Sequence, residues 1–201
     1  MSKSELLKFS GWAFILGGFS FATILSGSDP IAIPGSVVST ILLAVGMSGL
    51  RACNSESAGS LGRNILRASV SGIILFYLFL ALLVLSVLFL PGLKSQAESF
   101  ARSGLWLLMF GGPAVGLLGL TLFGLTALHN KPMPRFNWLS VFAGIWYPAF
   151  YFFLAAYLFA HDGEYPAQHH TIFQIIFLIQ FLALCALGAV LNDLSSEMAT
   201  A

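Results

Sequence analysis

The chain has 201 residues, of which 58% are hydrophobic and only 8% charged, with a formal net charge of +1. Soluble domains carry about 25% charged residues, so this composition excludes an ordinary water-soluble fold and predicts an all-α, multi-pass membrane protein. No basic cluster points to nucleic acid. The two cysteines, Cys53 and Cys185, are far apart and form no CxxC pair, which argues against a disulfide or thiol metal centre.

Six spans are predicted, at about residues 9–27, 33–51, 68–90, 104–128, 138–160 and 171–191. The first follows a short polar start with Lys3, Glu5 and Lys8. Its apolar run is longer than the ~7–15 residues of a secretory signal, so it reads as a retained membrane helix. Asp29, Pro30 and Pro34 predict a turn before the second span, which ends at Arg51. A Ser/Gly/Asn-rich loop then leads to Arg63 and Arg67 and to the third span, which stops at Pro91-Gly92. Lys94, Glu98 and Arg102 stand at i, i+4 and i+8. That ladder predicts a connecting turn of helix, with a short interfacial helix as the alternative.

The fourth span is the densest apolar signal. Gly104–Leu128 carries no charge, enough to cross a bilayer with tilt. Gly112, Gly116 and Gly119 fall at i, i+4 and i+7, a nearly bare helix face that another helix can approach closely. This is read as the central packing helix, with a bend at Gly111-Gly112-Pro113. The segment after His129 contains Pro132 and Pro134, which cannot continue a helix. The fifth span is strongly aromatic, and an acidic tail with Asp193 and Glu197 follows the sixth.

Six spans put Lys3, Lys8, Arg51, Arg63, Arg67, Lys131 and Arg135 on one side, and Lys94 and Arg102 on the other. The positive-inside rule makes the first side cytoplasmic, with both termini on it. Trp12 with Gly17-Gly18 and Trp106 with Gly111-Gly112 share the pattern W-x4-G-G. That match raises a weak 3+3 repeat, inverted in the membrane as in many transporters.

Chemistry-bearing residues are few. His161, Asp162, Glu164, His169 and His170 cluster between spans five and six. Three imidazoles and two carboxylates could hold a divalent metal or sense external pH, although their spacing fits no firm metal motif and a solvated loop is the plainer reading. Haem is disfavoured, because bis-His ligation needs imidazoles at bundle depth and all four histidines lie near span ends. Gly46-Met47-Ser48-Gly49 matches the G-x-S-G pattern of rhomboid proteases, but that chemistry needs a membrane-depth histidine as base. No Asp, Glu, Lys or Arg is expected at mid-membrane, which argues against an ion-coupled carrier. Gln174 and Gln180 face different directions and read as interhelical hydrogen-bonding groups. Phe142, Trp146, Phe150, Phe153 and Tyr157 form an aromatic stripe that could line a groove for an amphiphile but more simply reads as packing or lipid contact.

In its Leu16-Gly17-Gly18, Gly49-Leu50-Arg51, Gly59-Ser60-Leu61-Gly62-Arg63 and Lys131-Pro132-Met133-Pro134-Arg135-Phe136-Asn137-Trp138 segments, the chain resembles a loose set of uncharacterised bacterial multi-pass integral membrane proteins. The resemblance implies a helical bundle and brings no activity, cofactor or catalytic residue. The expected function is a non-enzymatic structural or accessory component of a bacterial inner-membrane assembly. Lipid and neighbouring subunits, or further copies of the chain, are its expected partners. The alternatives are an outer-face metal or pH sensor and a carrier of a small neutral or amphiphilic molecule.

Overall fold

The computed structural model describes residues 2–23, 29–53, 59–89, 94–130, 137–160 and 170–200. Six helices make up these segments: α1 (Lys3–Ala22), α2 (Asp29–Cys53), α3 (Gly59–Phe89), α4 (Lys94–Asn130), α5 (Asn137–Ala160) and α6 (His170–Thr200). Among the described residues there is no strand.

Several helices run past the ends that their apolar stretches suggest. Helix α1 starts in the polar segment because Ser2 and Glu5 form a capping box. The Ser2 hydroxyl accepts the Glu5 N–H at 3.2 Å, and the Glu5 carboxylate accepts the Ser2 N–H at 2.7 Å. The backbone hydrogen bond from Ser2 holds the Glu5 carboxyl below its usual range. Asp29, Pro30 and Pro34 are not a turn but lie within α2. Proline is tolerated in a first turn, where its missing N–H would have no intrahelical acceptor. Pro34 sits one turn deeper, where about one backbone bond is forfeited.

The polar segment from Gly59 onward is helical too, entered through a positive φ of 67° at Gly59, so Arg63 and Arg67 ride on α3 rather than in a loop. The Lys94–Glu98–Arg102 ladder belongs to α4 itself, which runs 37 residues without a break at Pro113. At 1.5 Å per residue that is about 55 Å, well beyond the ~30 Å hydrocarbon layer. Likewise Asp193 and Glu197 extend α6 rather than forming a separate tail.

The helices pack as α1 on α2 and α6, α2 on α3 and α4, α4 on α3 and α5, and α5 on α6. Helices α1, α2, α4, α5 and α6 thus close a ring, and α3 lies against α2 and α4. Residue register shows how neighbours run. Gly11 lies against Gly188 and Asn192 while Gly18 lies against Phe181 and Cys185, so α1 and α6 are antiparallel. Helices α1 and α2 are antiparallel too, with Gly17 against Leu42 and Gly49 against Leu6 and Ser10. So are α3 and α4, with Tyr77 against Gly112 and Ser69 against Gly119, and α4 and α5, with Gly124 against Val141 and Gly144 against Leu117. Gln180 against Ala143 and Phe177 against Phe150 make α5 and α6 antiparallel as well. Direction therefore alternates from α1 to α6, and α1 begins at the end of the bundle where α6 finishes.

The core is built of large apolar side chains, including Phe14, Met47, Leu117, Leu120, Phe123 and Leu184, all fully buried. Outward faces are equally apolar: Leu75 is 65% exposed, Phe152 60% and Phe79 58%. Such continuous exposed apolar surface is unfavourable in water. Windows in α2 (Pro34–Arg51), α4 (Gly111–His129) and α6 (Gln174–Ala199) are long and apolar enough to cross a bilayer. Together these features support a membrane protein.

Candidate functional site

His161, Asp162, Glu164 and His169 lie outside the described residues. His170 opens α6, and its side chain is outside the described set. Among the described residues no group of three or more His, Cys, Asp or Glu is placed to hold a metal ion. His129 is exposed at the end of α4.

The glycine face of α4 is turned to α3. A Cβ at Gly112 would lie 3.1 Å from the Tyr77 hydroxyl, and one at Gly116 would lie 3.0 Å from Ile73 Cδ1. At Gly119 it would collide with the Ser69 side chain. Ile73 is itself buried, so α3 side chains fill the space that the missing α4 side chains leave open. Sequence spacing identified the face. Nothing in the sequence singled out α3 as the helix that covers it.

The buried polar groups serve helix packing. Ser39 Oγ donates to Gly17 O at 2.9 Å, Ser10 Oγ donates to Gly46 O, and Gln180 Nε2 donates to Ala143 O. These three bonds tie α2 to α1 and α6 to α5. Thr121 and Ser69 return their hydroxyls to their own helices, at Leu117 O and Ile65 O. Ser48, in the G-x-S-G match, donates to Ala44 O at 2.8 Å and is exposed. Its two glycines receive α1 side chains, Phe14 at Gly46 and Ser10 at Gly49. Gln174 is exposed, whereas Gln180 is fully buried. Within the core, Gln180 Oε1 and Ser140 Oγ have no hydrogen-bond partner among the described residues.

The aromatic stripe of α5 divides. Trp138, Phe142 and Trp146 stack edge-to-face along the outside, with centroids 5.9 and 5.7 Å apart, and Phe153 is also exposed. Phe150 turns inward to Phe177. The tightest aromatic cluster was not legible as a unit in the sequence: Phe21 of α1, Tyr147 of α5 and Phe177 of α6 meet with centroids 5.0–5.7 Å apart, all fully buried.

One further feature is a lateral groove of about 810 Å³. Helix α2 forms its floor through Val37, Ile41, Ala44, Val45 and Ser48, with Leu6 and Phe9 of α1 on one side and Ile74 and Leu78 of α3 on the other. It exists because α1 and α3 both pack on α2 but not on each other.

Comparison of the chain with protein-family models, curated proteins and solved structures returned no match.

Proposed function

We propose that the chain is a non-enzymatic, multi-pass protein of a bacterial inner membrane that serves as a structural or accessory component of a membrane assembly. One observation carries this reading. Ser10, Ser39 and the Gln180 amide N–H donate to backbone carbonyls of a neighbouring helix and Thr121 to its own, while Tyr77 Oη, Ser140 Oγ, Gln180 Oε1 and Asn192 Oδ1 are the buried polar atoms left over among the described residues. Interhelical bonds of this kind are worth roughly 0.6 kcal/mol each, up to about 1.7, so they consolidate packing while leaving few polar groups for a substrate. The outward Trp138–Phe142–Trp146 ladder offers a rigid aromatic surface to lipid or a neighbouring subunit.

In this reading all six helices span the bilayer and both termini are cytoplasmic. Lys3, Lys8, Arg51, Arg63 and Arg67 belong to helix ends that the alternating packing brings to one side, in keeping with the positive-inside rule. A 3+3 inverted repeat is part of the same proposal. Exchanging α1 with α4, α2 with α5 and α3 with α6 turns the pairs α1–α2, α1–α6 and α2–α3 into α4–α5, α4–α3 and α5–α6, all of which exist. The pair α2–α4 has no backbone counterpart, although Phe21 and Tyr147 touch across α1 and α5. The register this packing favours pairs Gly11 and Gly18 with Gly112 and Gly119, both seven apart and both facing the exchanged partner helix. That register is two turns away from the W-x4-G-G alignment.

Extraction from native membranes in mild detergent is expected to return the protein with stoichiometric partners or as a defined oligomer. A monodisperse monomer free of other subunits, across several detergents, would contradict the assembly role.

A further inference from the structure

We propose that the groove between α1, α2 and α3 seats one acyl chain of an anionic phospholipid, with the phosphate held by Arg51, Arg63 and Arg67. The inference does not depend on the assembly role.

The dimensions are those of a lipid tail. Val37 and Gly49 bound the groove floor and stand twelve positions apart on α2, about 18 Å at 1.5 Å per residue. One leaflet of hydrocarbon is about 15 Å, half of the ~30 Å core. The groove therefore runs from one interface to about the bilayer midplane. Its lining is mostly aliphatic, with Phe9, Ser48 and Tyr77 besides, and Ile41 54%, Ile74 54% and Leu78 55% exposed along it, and it opens sideways rather than into the bundle. Such a slot suits a flexible chain from the surrounding lipid.

The charge lies at one end only. The floor ends at Ser48 and Gly49, and Arg51 follows at the end of the same helix, seven residues from Ala44 and so on nearly the same face. On α3, Arg67 stands seven residues before Ile74 and Arg63 eleven before it; at 100° per residue both fall within about 20° of the Ile74 direction. Arg51 and Arg67 are exposed. The helix faces that line the groove thus carry Arg51, Arg63 and Arg67 beyond its interfacial end. Guanidinium groups match phosphate oxygens with paired donors, and each basic side chain near an anionic surface contributes about fivefold in affinity. An apolar slot one leaflet deep, crowned by three arginines, selects a lipid with a tail and a negative head over a neutral lipid or a soluble anion.

The test is native mass spectrometry of the full chain, delipidated and then exposed to phosphatidylglycerol or to phosphatidylcholine with the same tails. Phosphatidylglycerol is expected to be retained at about one per chain and at least tenfold more tightly than phosphatidylcholine. Arg51→Gln with Arg67→Gln should weaken it about 25-fold, two steps of about fivefold each, and leave the thermal midpoint unchanged. Ile41→Trp with Val45→Phe, giving α2 the bulk that α5 carries outwardly at Phe142 and Trp146, should abolish retention of either lipid. Equal affinity for the two lipids, or an unaltered affinity in either variant, overturns the proposal. So does inorganic phosphate competing as well as the lipid. A groove-filled variant that keeps its lipid but loses self-association shown by the native chain would overturn the proposal and assign the groove to a second copy of the chain. Should the filled variant not fold, the arginine pair alone decides the matter.

Discussion

Replacing Gly188 by leucine is expected to separate α6 from α1 and to unfold the bundle at temperatures the native protein survives. The two helices meet backbone to backbone here. A Cβ at Gly188 would overlap Gly11 O and lie 2.6 Å from Ile15 Cγ1 and 3.0 Å from Ile15 N. A Cβ at Gly11 would lie 2.6 Å from Gly188 O and 2.5 Å from Asn192 Oδ1. Backbone cannot swing aside as a side-chain tip can, so the overlap must be relieved by moving a helix. Overpacking of this kind costs about 1–3 kcal/mol. Alanine recovers about 1 kcal/mol of helix propensity over glycine, so Gly188→Ala is expected to lose up to about 2 kcal/mol net, and leucine considerably more. Gly17 provides the contrast. Its added Cβ would sit 3.3 Å from Leu42 Cβ, a close contact that a shift of a few tenths of an ångström relieves, and there the propensity gain is expected to prevail. Unfolding in graded denaturing detergent should rank Gly17→Ala at or above the native protein and Gly188→Ala clearly below it. Equal stabilities would contradict the tight α1–α6 seam.

Phe21→Ala is expected to destabilise the bundle by about 3 kcal/mol, the low end of the range for a large aromatic removed from a core. In a bilayer the unfolded helices already lie among apolar groups, so the transfer contribution seen in water is reduced. What remains is the cavity and two lost ring pairs, Phe21 with Tyr147 at 5.0 Å and with Phe177 at 5.1 Å, each worth about 0.5–1.5 kcal/mol. The cluster joins α1, α5 and α6, so the loss should fall on ring closure as a whole. Leu75→Ala, on an outward face of α3 and 65% exposed, is expected to stay within about 0.5 kcal/mol of the native protein. The same detergent titration reads both variants, and a Phe21→Ala loss no greater than that of Leu75→Ala would remove the cluster from the account.

Apolar runs and their flanking charges carried the helical architecture in plain view, because the six long stretches and their polar breaks are local. Helix ends were harder. Asp29–Pro34 has the residues of a turn yet lies in α2, since the first turn of a helix accepts proline. The polar segments at Gly59–Arg67, Lys94–Ser103 and Asp193–Thr200 lie within helices, where nothing apolar announces them. The i, i+4, i+7 glycines of α4 stood out because their spacing repeats. Gly11 and Gly188 did not, because each is a lone glycine whose meaning depends on a partner about 180 residues away. The Phe21–Tyr147–Phe177 cluster and the lateral groove share that reason: both are made by which helices meet and which do not. Gln180 was legible as an interhelical donor, but its acceptor, Ala143 O, was not. The His/acid segment 161–169 remains an expectation of sequence alone, outside the described residues.

Helices α1 and α6 close the bundle against each other, and one cross-link tests this. A Cβ at Gly18 would lie 3.2 Å from the sulfur of Cys185, within reach of disulfide geometry, and Cys185 is a free thiol. With Cys53→Ser in place to leave a single native thiol, Gly18→Cys should form an intramolecular bond to Cys185 under mild oxidation. The two terminal helices would then stay joined after cleavage between them. Free thiols at both positions, or bonds only between separate chains, would contradict the fold from which the packing, the groove and the proposed role were all derived.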